Sequence, residues 1–99
     1  MHIRVDTGGT LALIEPDNFK RFHIEVADQN LSGDALVAAL APIAAPDGAD
    51  FWIDAAGLKA LSRREADPLW SAGFEAMLGA AKRFGWVSPD GKRIRCHVK

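Results

Sequence analysis

Between Lys92 and Lys99 the side chains alternate without a break: Ile94, Cys96 and Val98 fall on one side, Arg93, Arg95, His97 and Lys99 on the other. Only an extended strand, whose residues point to opposite faces in turn, converts this order into one apolar and one polar surface. The chain therefore needs a sheet with one covered face and one wet face. Its cover is legible upstream. Asp67-Pro68 combines a capping side chain with proline at a first helical position, and Trp70, Phe74, Met77, Leu78, Ala81 and Phe84 follow at helical spacing. Ser62-x-x-Glu65 also has capping-box spacing, but a helix begun there would hold Pro68 in its interior at a cost of about 3 kcal/mol. A helix over 68–84 laid on half-buried strands makes the fold class α+β.

The remaining elements follow from the same two periods. Ile3 and Val5, then Leu11 to Ile14, then Phe22, Ile24 and Val26 read as three strands, joined as an N-terminal antiparallel β-meander. A helix over about 32–41 starts at Ser32, turns Leu36, Val37 and Leu40 inward and stops at Pro42, leaving 41–48 as an exit loop. Phe51-Trp52-Ile53 gives a short buried strand at 51–54, and Asp54 caps a helix over about 55–61 that carries Leu58 and Leu61. A C-terminal β-hairpin over 86–98 folds about Ser88-Pro89-Asp90-Gly91. On the long helix, Ala72, Gly73, Ala76, Gly79 and Ala80 form a second surface of small residues, which makes sense where another element approaches closely.

With 99 residues the chain suits one domain, and 48% hydrophobic and 25% charged residues are globular values. The lone Cys96 permits no internal disulfide, and the first residues read as a strand rather than an apolar leader, so the expected location is cytoplasmic. The most apolar stretch, 31–45, contains Asp34 and Pro42, so no membrane span is expected. The net charge of −1 hides a gradient: residues 82–99 carry six basic side chains against Asp90 alone. Such an end can steer an anionic partner or serve as a solvated face.

Ile3-Arg4-Val5-Asp6-Thr7-Gly8-Gly9-Thr10 resembles the first phosphate loop of the sugar-kinase, actin and hydantoinase superfamily, where a strand leads into a hairpin. That resemblance implies a metal-engaging role for Asp6 and amides of Gly8 and Gly9 approaching phosphate, with Thr7 and Thr10 flanking. The element order is also similar to that of ribonuclease H, which would make Asp6 and Asp54, each ending a strand, paired carboxylates. The same five residues, Asp6 to Thr10, equally suit an ordinary hairpin turn. Asp6-Thr7-Gly8 matches the aspartic proteases over three residues only, and Arg4 stands where that family is apolar, so that reading is set aside. Residues 31–99, with their last helix followed by Gly85-Trp86-Val87-Ser88-Pro89-Asp90-Gly91-Lys92-Arg93-Ile94-Arg95, resemble the winged-helix superfamily, which implies a wing carrying Lys92, Arg93 and Arg95 to phosphates. The helix start, Asp67 to Ala72, offers no arginine, asparagine or glutamine to base edges.

His2, His23 and His97 fall on polar strand faces and would meet only if their strands adjoin; no local ligand pair implies a metal, and no cofactor motif is present. Arg4, Arg21, Lys92, Arg93, Arg95 and His97 make a candidate anion-binding surface. Cys96 points to the apolar side, and no flanking motif activates a serine or aspartate, so no catalytic residue is expected. The sequence thus supports a non-catalytic binding or protein-interaction domain, with self-association through the small-residue helix surface or a strand edge as one route. The alternatives are nucleic-acid or polyanion binding through the basic hairpin, and phosphate or nucleotide binding at Asp6–Thr10.

Overall fold

The computed structural model describes residues 1–99 and carries three helices and six strands. β1 (His2–Val5), β2 (Leu11–Ile14) and β3 (His23–Val26) make one sheet in the order β2-β1-β3. α1 (Gly33–Leu40) leads to β4 (Ala44–Asp47) and β5 (Asp50–Asp54), then α2 (Ala55–Ser62), α3 (Pro68–Arg83) and β6 (Arg93–His97). The last three strands form a second, antiparallel sheet in the order β4-β5-β6. The α+β class holds, and the long helix begins at Pro68 with the Asp67 carboxylate accepting from the amides of Leu69 and Trp70 at 3.0 and 3.4 Å.

Four details depart from the sequence expectation. β1 and β2 form the antiparallel hairpin, but β3 lies on the other side of β1 and runs parallel to it, so the three strands are not a meander. The stretch between β2 and β3 is long enough to cross over, and Trp70 anchors it by donating its Nε1–H to the Pro16 carbonyl at 2.9 Å. The expected loop at 41–48 contains β4, paired with β5 through Ala44–Ile53 to Asp47–Asp50. The C-terminal hairpin is present, but its first arm is short: Val87 bridges Ile94, and the Arg95 amide donates to the Trp86 carbonyl at 2.7 Å. β6 pairs along its length with β5 instead. At Ser32 and Asp54 the chain does turn into helices, yet neither side chain makes a capping hydrogen bond.

The two sheets meet at the chain end, where Val98 bridges Ile24 in parallel and the Lys99 amide donates to the Ile24 carbonyl at 2.9 Å. All fifteen buried residues are apolar and join in one cluster. Ile3, Val5 and Ile24 from the first sheet meet Phe51, Ile53, Ile94 and Cys96 from the second, beneath Leu40, Leu58, Trp70 and Phe74 of the helices. One core gives one domain. No helix is long and apolar enough to cross a membrane.

Candidate functional site

The structure distributes the sequence candidates unevenly. Asp6 to Thr10 forms a closed turn: the Asp6 amide donates to the Thr10 carbonyl at 2.9 Å and the Gly9 amide to the Asp6 carbonyl at 2.7 Å. Gly9 sits at φ +81°, which explains the glycine on conformational grounds. The Asp6 carboxylate accepts from Arg4 Nε at 2.9 Å. The Gly9 amide and the Asp6 carboxylate are thus engaged inside the turn, Thr7, Gly8 and Thr10 are exposed, and Asp54 ends a strand of the other sheet.

The histidines do come together. Register pairs His2 with His23, and their rings stack with centroids 4.8 Å apart. The Ile24–Val98 bridge brings His97 level with His23 on the next strand. His2 Nε2 lies 2.8 Å from Glu25 Oε2. Desolvation, then His2 and Lys99, hold the His23 imidazole below its ordinary pKa, with Glu25 opposing and His97 adding to the depression. No three imidazole, thiol or carboxyl groups converge as a metal-ligand set.

The six candidate anion contacts separate by partner. Arg4 is held by Asp6. Arg95 is held by two carboxylates, Asp50 at 2.9 Å and Asp47 at 3.2 Å, and lies 5.6 Å from the Trp52 ring centroid. Trp52 Nε1 donates to the same Asp47 at 2.9 Å, so this polar face of the second sheet is largely self-satisfied. Arg93 stands opposite Asp54 in register, and Lys92 is an exposed turn residue whose amide donates to Asp90. Arg21 and His97, with Arg95, reach a different place: the mouth of a groove.

This groove, about 490 Å³, opens between the C-terminal half of α3, β6 and the segment Phe19-Lys20-Arg21-Phe22. Local sequence builds its rim. α3 ends in a Schellman motif, with Gly85 at φ +76°, the Gly85 amide donating to the Lys82 carbonyl at 3.1 Å and the Trp86 amide to the Ala81 carbonyl at 3.0 Å. That reversal, together with the Trp86 carbonyl bonded to β6, stacks the Trp86 and Phe84 rings at 5.2 Å. Both rings remain in water: Phe84 is 69% and Trp86 53% exposed. Met77 and Ala81 line the helix wall, Ile94 and Cys96 the strand wall. Burial, and secondarily Asp50, pushes the Cys96 thiol up to about 12. Lys20 and Arg21 are exposed, and neither side chain makes an ion pair or hydrogen bond.

In the sequence, Phe84 falls on the apolar stripe of the long helix and Trp86 in the C-terminal hairpin, and neither Phe19 nor Lys20 is assigned a role. The available signal was Phe84-Gly85-Trp86: a glycine stop flanked by two large rings at a helix end leaves more aromatic surface than that end can bury. Comparison with family models, with curated proteins and with solved structures finds no match.

Proposed function

We propose that this chain is a binding domain whose ligand is an apolar small molecule seated in the groove between α3, β6 and residues 19–22. The observation that carries the reading is the stacked, solvent-exposed Phe84–Trp86 pair at the rim of an apolar groove. Large rings held in water by backbone constraints on both sides carry a standing hydration cost that a ligand removes. The volume falls within the roughly 300–1,000 Å³ of small-molecule sites, and an apolar lining with a few polar groups at the edge is their usual character. The groove's thiol favours binding over covalent chemistry, because a Cys96 titrating near 12 is a thiol, not a thiolate, at neutral pH.

The test uses a neutral apolar dye such as Nile red. Its emission should rise with the wild-type protein and fall to background with Trp86→Ala and with Ala80→Trp, which fills the groove, while far-UV circular dichroism stays native. Equal dye binding by both variants and wild type would refute the site.

A further inference from the structure

We infer that the groove selects an amphipathic carboxylate: a single carboxylate on an unbranched apolar chain, the head group at Lys20 and Arg21 and the chain against Met77, Phe84 and Trp86. This rests on the binding reading above and adds the chemical class of the ligand.

The charge balance of the groove carries it. Four cationic or titratable bases line it, Lys20, Arg21, Arg95 and His97, against one carboxylate, Asp50. Arg95 and Asp50 cancel, being paired at 2.9 Å, with Asp47 on the same guanidinium. What remains is a surplus of positive charge on the Phe19–Phe22 wall. Glu15 and Glu25 line the adjoining polar cleft that Arg21 shares, but neither forms an ion pair with it, and Glu25 is taken by His2. In Phe19-Lys20-Arg21-Phe22 two unpartnered cations thus sit between two aromatic residues that line the same groove. A planar guanidinium matches a carboxylate with two parallel hydrogen bonds, and the lysine adds a point charge. The other end of the groove is different. There Met77, Ala80, Ala81, Phe84 and Trp86 present apolar surface and no charged side chain of α3 lines the groove, so the apolar part of the ligand belongs beside Phe84 and Trp86.

The experiment is a calorimetric titration, below micelle formation, of the full chain with decanoate, octanoate, decanol and decylamine, with amide and indole shifts read in parallel. Decanoate should bind at least tenfold more tightly than decanol or decylamine, and shift Arg21, Ala80 and the Trp86 indole. Octanoate should bind about four- to sixteenfold more weakly than decanoate, as expected when two methylenes leave an apolar site. Lys20→Glu/Arg21→Glu should abolish the preference for decanoate over decanol. Equal affinity for decanoate and decanol, or a preference that survives the double reversal, would overturn the ligand class but leave an apolar site. An acidic Leu-rich peptide that binds more tightly than decanoate, or Trp86 shifts that follow protein concentration alone, would overturn it in favour of a polypeptide or a second copy. If none of the four compounds moves these resonances, the binding reading falls as well.

Discussion

Phe19 packs onto the bare α-carbon of Gly73: a β-carbon placed there would stand 2.5 Å from Phe19 Cε2 and 2.9 Å from Cζ. The glycine admits the ring, and the ring closes one wall of the groove. Gly79, on the same helix, has nothing within 4 Å of the equivalent point. Gly79→Ala should therefore stabilise the protein by about 0.5–1 kcal/mol through helix propensity alone. Gly73→Ala gains the same propensity but must displace an aromatic ring, at about 1–3 kcal/mol, so its net effect should be destabilising. Urea denaturation of both variants checks the opposite signs. In Phe19→Ala the penalty at position 73 should vanish.

The Asp67 carboxylate caps two α3 amides, so Asp67→Ala should cost about 1 kcal/mol in the same assay, and Asp67→Asn or Asp67→Ser should restore most of it. Equal stability of Asp67→Ala and wild type would show that the cap contributes nothing.

Cys96 gives an alkaline signature. Its thiol is neutral in the folded state up to about pH 12, whereas an unfolded cysteine ionises near 9. The folded state then binds the proton more tightly, so this contribution is fully present below pH 9 and is lost as pH rises toward 12. The slope should approach about 1.4 kcal/mol per pH unit inside that window. Stability measured from pH 8 to 10.5 should fall more steeply for wild type than for Cys96→Ala. Ellman's reagent at pH 8 should react only on unfolding.

His23 gives an acid one, of opposite origin. Its pKa is depressed in the folded state by desolvation first, and by His2, Lys99 and His97 against the opposing Glu25. The unfolded chain then binds the proton more readily, so the contribution is present above about pH 6.5 and is lost as pH falls below it. The melting temperature should drop between pH 7.5 and 5.5, and by less in His23→Gln. Carbon–proton spectra of the ring should place its midpoint below that of an unstructured histidine. A midpoint at or above the free value would refute the depression.

Much of this molecule was written in local sequence. The alternation of Ile94, Cys96 and Val98 determined which face of β6 is buried, Asp67-Pro68 determined where α3 begins, and Gly85 determined where it stops, because period, capping and positive φ are properties of a few adjacent residues. Tertiary structure decided everything that depends on which strand lies beside which. Nothing local states that β3 runs parallel to β1, yet this pairing, with the Ile24–Val98 bridge, is what aligns His2, His23 and His97. Residues 44–47 became a strand because β5 offered them a partner edge, not because Ala44-Ala45-Pro46-Asp47 has strand character. The cations illustrate the same limit. By sequence Arg95 looked as free as Arg21, but register set Arg95 beside Asp47 and Asp50 and left Arg21 unpaired at the groove mouth. Whether a charge is satisfied depends on partners some 45 residues away, and only the folded chain brings those partners within reach.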